Sequence, residues 1–136
     1  MLISIITVTY NAEHSIDRLL QSVQPVLARY VDVEHVLIDG SSSDQTMAMI
    51  DAYSKSIPRV KVLSEPDHGI YDAMNKGLNM ASGQYVIHLN GDDWIEDSRA
   101  FDTLYERLAH DLPMVLSSPV AIYSGDKLHR MLPAKP

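Results

Sequence analysis

The sequence predicts an α/β fold, a mostly parallel sheet with helices on both faces. Three observations carry that reading. Short β-branched or apolar runs recur along the chain, segments with apolar residues at helical spacing separate them, and this alternation passes through four successive units without an internal repeat. Connections of this kind are right-handed and leave the strands parallel. No linker-like stretch divides the 136 residues, and 46% hydrophobic content suffices for one core, so residues 1–136 read as a single domain.

The first strand is Leu2–Thr9, a β-branched run, and Tyr10-Asn11-Ala12-Glu13 turns it into a helix bearing Ile16, Leu19, Leu20 and Val23. Pro25 is expected to end or kink that helix. Val33–Asp39 is the second strand. Ser42 and Gln45 resemble a capping box, so a helix with Met47, Ile50 and Tyr53 should start there, with Asp44 in its first turn complementing the dipole. Val60–Leu63 is a short third strand, followed by the loop Ser64–Gly69. The next helix places Ile70, Ala73, Met74, Gly77, Leu78 and Ala81 on one face, with Gly83 as its stop. Gln84–Leu89 reads as a buried fourth strand. Phe101, Leu104, Tyr105 and Leu108 mark another helix. Val115–Ser118 and Val120–Tyr123 read as short strands, and Ser124-Gly125-Asp126 as a turn into Lys127–Met131; the tail from Leu132 carries no order signal.

Charge narrows the function. Eleven basic against 18 acidic residues give a net charge of −7, which disfavours nucleic acid as a partner. The same field repels a diphosphate unless a cation intervenes. There are no cysteines, hence no disulfide framework and no thiolate metal site, and none of the six histidines is paired at zinc-site spacing. The apolar start Met1–Val8 is too short to span a membrane and lacks a charged n-region. The expectation is a cytoplasmic protein, with peripheral attachment to the inner face of the membrane left open.

Three strand ends carry polar groups that a core does not need: Thr9, Tyr10 and Asn11; Asp39 to Asp44; and Asn90 to Asp93. In a doubly wound sheet these loops emerge at one edge, where ligands bind. Hydroxyls and amides there suit a base and ribose, while Asp92 and Asp93 suit a hard divalent cation, Mg²⁺ or Mn²⁺, chelated by a diphosphate. Asp39 has two readings, base or ribose recognition and an Asx-turn into Gly40. Asn75 and Lys76 lie on a polar helix face, Lys76 either neutralising phosphate or simply solvated. A phospho-acceptor signalling domain would need an acidic cluster after the first strand, and a dinucleotide-binding domain would need G-x-G-x-x-G there; the chain has Thr9-Tyr10-Asn11 instead.

Four segments, in order, resemble family-2 glycosyltransferases of the GT-A fold: Ser4–Asn11, Ile38–Thr46, Ser64–Gly77 and Gly83–Asp93. The third is similar to a branch that builds bacterial exopolysaccharide and lipopolysaccharide, the colanic-acid type. The resemblance covers roughly residues 2–94 and implies an inverting, metal-dependent transfer of a sugar from a nucleotide-diphosphate donor to the hydroxyl of a carbohydrate or lipid-linked acceptor. It places Thr9 and Asp39 at the base, Asp92 at the metal, and Asp93 beside it at ribose, metal or donor sugar. Asn90 stands where the family's acidic motif usually begins with Asp, so one charge is missing. The family's later half supplies the acceptor platform and usually the general base. Glu96, Asp97 and Asp102 are better explained as helix-start or surface charges, and no catalytic residue is assigned. The expectation is therefore the donor-binding part of a longer enzyme, with a non-catalytic nucleotide-sugar-binding module as the alternative, and self-association through an uncovered apolar face left open.

Overall fold

The computed structural model describes residues 2–110, 120–124 and 127–132. The chain forms two compact units, Met1–Ser98 and Arg99–Pro136. In the first, β1 (Ile3–Thr9), α1 (Ile16–Arg29), β2 (Val33–Asp39), α2 (Thr46–Ser56), β3 (Val60–Ser64), α3 (Ile70–Met80) and β4 (Tyr85–His88) alternate without exception. The sheet order is β3-β2-β1-β4, and every pairing is parallel. The α/β class and the parallel sheet follow the sequence expectation. The last helix, α4 (Ser98–His110), begins at the boundary, and β5 (Val120–Ser124) pairs antiparallel with β6 (Lys127–Leu132). The strand expected at Val115–Ser118, the Gly125-Asp126 part of the turn and the tail beyond Leu132 lie outside the described residues.

All seven residues of β1 and all seven of β2 are buried, as continuous β-branched runs in a sheet covered on both faces should be. Side chains alternate between the faces. One face presents Ile6, Val8, Val36 and Ile38, which pack on Ala73 of α3. The other presents His35, which meets Tyr53 of α2 edge to face, ring centroids 5.7 Å apart. Helices therefore cover both faces.

Gly77 explains how closely α3 approaches. A Cβ there would fall 2.4 Å from Ile6 Cγ2 and 3.4 Å from Ile38 Cγ1, and Ile6 is β-branched and buried, so it has little room to yield. Gly83, expected to stop this helix, does something else. The helix ends at Met80, with the Ala81 N–H closing on the Gly77 and Leu78 carbonyls. Gly83 is glycine because a Cβ would sit 2.5 Å from the Ser4 backbone nitrogen.

Four other expectations are corrected. Pro25 does not end α1, which runs on to Arg29; it sits on the exposed side, where the carbonyl it leaves unbonded can meet water. The Ser42–Gln45 capping box does not form, because Ser42 is drawn to Asp39 and the helix starts at Thr46. Asp44 precedes the helix instead of occupying its first turn, and its carboxylate accepts the Thr46 N–H at 3.0 Å. Finally, β4 is an edge strand of four residues, not a buried one: its pattern alternates and Val86 is 37% exposed.

Glu34 and His35 are two of the polar residues buried inside this sheet. Glu34 accepts from Ser4 Oγ at 2.6 Å and the Ser82 N–H at 2.6 Å, and pairs with Lys61 at 2.9 Å. Burial alone would raise its pKa, but these donors outweigh it and hold the carboxyl below its ordinary range. His35 lies between Thr7 Oγ1 (2.9 Å) and Tyr53 Oη (3.0 Å), and burial pushes it down to about 3.

Two predictions follow from this packing. Gly77→Ala should lower stability by about 1–2 kcal/mol, overpacking at Ile6 outweighing the helix-propensity gain of about 1 kcal/mol; urea melts that show a gain would contradict it. For His35 the unfolded chain takes up a proton near pH 6.5 that the folded chain refuses until about pH 3. Its contribution is therefore complete above pH 6.5 and should decay by about 1.4 kcal/mol per pH unit below it. Urea midpoints between pH 7.5 and 4.5 should fall more steeply in the wild type than in His35→Gln.

Candidate functional site

The parallel register brings the strand ends together. Thr9 is opposite Asp39, and Asp39 opposite Ser64, at the last positions of β1, β2 and β3. The chain leaving each strand is then pinned to its neighbour: Gly40 N–H donates to the Thr9 carbonyl, Glu65 N–H to the Asp39 carbonyl, and Gly91 N–H to the Val8 carbonyl, at 3.0–3.1 Å. The three polar loops expected to meet do meet, along one rim.

Asp39 organises that rim from within. It is fully buried, and its Oδ2 accepts the Ser42 N–H at 2.9 Å and Ser64 Oγ at 2.7 Å, while the Ser42 hydroxyl donates to Oδ1. The Asx-turn into Gly40 does not form: it would take the N–H two residues on, whereas the Asp39 carboxylate takes that of the third, Ser42. Ser64 was not singled out from the sequence; only the strand register identifies it.

The loops after β1 and β2 are laced together by side chains. The Asn11 N–H donates to Ser42 Oγ (2.8 Å), and Asn11 Oδ1 accepts the Ser43 N–H (2.9 Å). The Ala12 N–H donates to Thr46 Oγ1 (2.8 Å), the Glu13 N–H to Asp44 (3.1 Å) and the Gln45 N–H to Glu13 (2.9 Å). Asn11 adopts φ 47° and Ser41 φ 62°, left-handed conformations tolerated by asparagine and held here by these bonds. Desolvation would raise the Asp44 pKa, but bonds from Thr46 and from the Glu13 N–H together outweigh it and keep the carboxyl below its ordinary range. Tyr10 projects from this lacework, 65% exposed.

Asp67, also missed, reaches over the second loop. A Cβ on Gly40 would lie 2.7 Å from Asp67 Oδ2 and 3.4 Å from the Tyr10 ring, so glycine is needed for the three groups to converge. Asp67 Oδ1 accepts the Gly69 N–H at 2.8 Å, and Gly69 opens α3 with φ 108°.

Asn90–Asp93 forms a closed turn. The Asn90 N–H donates to Asp93 Oδ2 (3.1 Å) and the Asp93 N–H to the Asn90 carbonyl (2.9 Å). Asp92 is exposed and makes no hydrogen bond or ion pair with the described residues. Beside it are two buried polar atoms with no partner among the described residues, Thr9 Oγ1 and Asn90 Oδ1. Buried polar atoms are nearly always satisfied, and both of these exceptions fall on residues singled out from the sequence.

Lys76 and Asn75 are less central. Lys76 Nζ donates to the Pro66 carbonyl (2.8 Å) and pairs with Glu65 (3.0 Å) and Asp72 (3.5 Å), with the Glu65 bond chiefly raising its pKa. Its charge is spent on neighbouring carboxylates. Asn75 is exposed on α3. A groove of about 370 Å³ between α1 and α2, bordered by Leu20, Gln24, Met49 and Tyr53, includes none of the rim residues.

No three His, Cys, Asp or Glu side chains converge as a ready-made metal cage among the described residues. A Mg²⁺-type ion does not require one, since it is commonly held by one or two carboxylates together with substrate phosphates and water. The Asp92 carboxylate, without a partner among the described residues, and Asp93 next to it fit that donor set.

Comparison with known proteins places this geometry in a family. Residues 4–134 match glycosyl transferase family 2. Cholesterol galactosyltransferase of Borreliella burgdorferi is 30% identical over 121 residues, covering 89% of this chain and 33% of that protein. Chondroitin synthase of Pasteurella multocida is 33% identical over 95 residues, 70% of this chain and 10% of the synthase. Among solved structures, residues 1–349 of S. aureus TarS in complex with UDP-GlcNAc superimpose with a TM-score of 0.69 at 27% identity, covering 88% of this chain and 33% of that one. A mannosyltransferase from Pyrobaculum calidifontis, in complex with GDP-Man and Mn²⁺, shares the fold at a TM-score of 0.69 and 20% identity, over 88% of this chain and 35% of its own. The chain thus spans a third or less of the curated relatives described. It has the GT-A fold and belongs to glycosyl transferase family 2.

Proposed function

We propose that the rim binds the nucleotide diphosphate of a sugar donor through a divalent cation, Mg²⁺ or Mn²⁺, and that the whole protein transfers the sugar to an acceptor hydroxyl with inversion. The observation that carries this reading is the convergence, on one sheet edge, of Asp92 with the Thr9 and Asn90 side-chain oxygens, all three without a partner among the described residues. Electrostatics favours the cation. The rim loops bring together Glu13, Asp39, Asp44, Glu65, Asp67, Asp92 and Asp93, with no Lys or Arg among residues 9–13, 39–46, 64–69 and 90–93, so a bare diphosphate would be repelled.

In this reading Asp92, with Asp93, would hold the cation. When bound, it supplies Lewis-acid stabilisation of the charge on the departing nucleoside diphosphate. Tyr10 offers an exposed ring for a base to stack on. Asp39 shapes the nucleoside shelf through Ser42 and Ser64. Thr9 and Asn90 offer hydroxyl and amide oxygens to ribose hydroxyls. That TarS binds UDP-GlcNAc and the Pyrobaculum enzyme GDP-Man supports a nucleotide-sugar donor. Chondroitin and hyaluronan synthases among the relatives support a role in bacterial cell-surface polysaccharide synthesis. No described helix is long and apolar enough to cross a membrane, which agrees with work at the cytoplasmic face on a carbohydrate or lipid-linked acceptor.

A thermal-shift panel of UDP, GDP and dTDP with and without Mn²⁺ tests this. At 100 times its Kd the preferred nucleotide should add about 2.7 kcal/mol of apparent stability, and Asp92→Ala should lose the Mn²⁺-dependent part. No stabilisation by any nucleoside diphosphate would overturn the proposal. Donor hydrolysis and transfer assays on the same samples separate the enzyme from a binding module, which would bind without turnover.

A further inference from the structure

The acidic turn is held from a direction that the sheet does not supply. Ser15, the residue that precedes α1, and Arg18 and Ser22 on it are spaced three and four residues apart and so share one side, beside the apolar stripe that enters the core. Ser15 Oγ donates to the Gly91 carbonyl at 2.9 Å. The Ile95 N–H donates to Ser22 Oγ at 3.0 Å, and that hydroxyl in turn donates to the Leu19 carbonyl at 2.8 Å. Between them the Arg18 guanidinium lies over the Trp94 ring, 3.7 Å from its centroid. The indole Nε1–H donates to Glu96 at 3.0 Å, fixing the orientation of the ring. Three contacts from Ser15 and α1 thus bracket Asp92 and Asp93 on both sides.

We propose that this face of α1 is a positioning clamp for the acidic turn, with the Arg18–Trp94 stack as its adjustable element, and that it sets the affinity of Asp92 and Asp93 for the donor's divalent cation. The inference deepens the donor-site reading and rests on it. An exposed carboxylate with no partner binds a cation well only if its backbone is already in place, since otherwise binding must also order the loop. The turn's internal bonds, Asn90 to Asp93, shape it but do not orient it on the molecule. Gly91 N–H to Val8 fixes one end, and the clamp fixes the remainder. Arg18, Ser15 and Ser22 are positioning residues; none belongs to the cation's donor set.

The test is a Mn²⁺ titration at saturating nucleoside diphosphate, using whichever of UDP, GDP or dTDP stabilises the wild type, followed by thermal shift and by the electron paramagnetic resonance signal of free Mn²⁺. Arg18→Ala should raise the half-saturating Mn²⁺ concentration about three- to fivefold, within the range an exposed cation–π contact supports. Nucleotide binding without metal should stay within about twofold of wild type, and Arg18→Lys should recover most of the Mn²⁺ affinity. Ser22→Ala, which removes a bond but no bulk, should shift the titration in the same direction and serves if Arg18→Ala fails to fold. Unchanged Mn²⁺ affinity in folded Arg18→Ala or Ser22→Ala would overturn the clamp, as would an equal loss of metal-free and metal-dependent binding. A wild type that shows no Mn²⁺-dependent nucleotide shift would instead overturn the donor-site reading.

Discussion

The arrangement depends on β1 being paired in parallel on both sides. Its seven buried residues run in register with the seven of β2, and its first half with β4. Parallel pairing sends every carboxyl end to the same edge, and the burial of both central strands makes a register slip costly, because it would turn each apolar side chain to the wrong face. Thr9, Asp39 and the Asn90–Asp93 turn, far apart in the chain, have no other reason to meet. Gly77 strengthens the same constraint by seating α3 directly on Ile6 and Ile38.

Given that frame, the rim divides its carboxylates by task. Asp39 and Asp44 are occupied by backbone and hydroxyl donors and hold loops in shape. Glu65 and Asp72 are occupied by Lys76. Asp93 closes its own turn. Among the described residues this hydrogen bonding leaves Asp92 as the rim carboxylate without a partner. Since Lys76 is already neutralised, an anionic ligand at this edge is best accommodated with its own cation.

Much of this was legible in the sequence, and the reasons are local. The β-branched runs at Ile3–Thr9 and Val33–Asp39, and the spacing of Ile16, Leu19, Leu20 and Val23, reflect burial directly, so strands, helix and sheet class follow from them. The polar strand ends stood out because a core has no use for them. The failures turn on tertiary surroundings that local sequence does not carry. Ser42 has a helix N-terminus and a carboxylate within reach, and only the fold shows that Asp39 wins. Pro25 is harmless because of the side of α1 on which it falls. Val86 looks like core until β4 is known to be an edge. Ser15, Arg18 and Ser22 look like an ordinary solvated stripe, and nothing in their spacing shows that a loop some seventy residues later lies against them.

The central claim is that a cation and its nucleoside diphosphate occupy this one sheet edge. Paramagnetic broadening of backbone amide signals by Mn²⁺, in the presence of the bound nucleoside diphosphate, reads this position directly. The account predicts the strongest broadening at Gly91–Trp94, with weaker effects at Thr9–Asn11 and Gly40–Ser42. Broadening centred on the opposite edge of the sheet, around Val33 and Ser82, or spread evenly over the acidic surface, would contradict it.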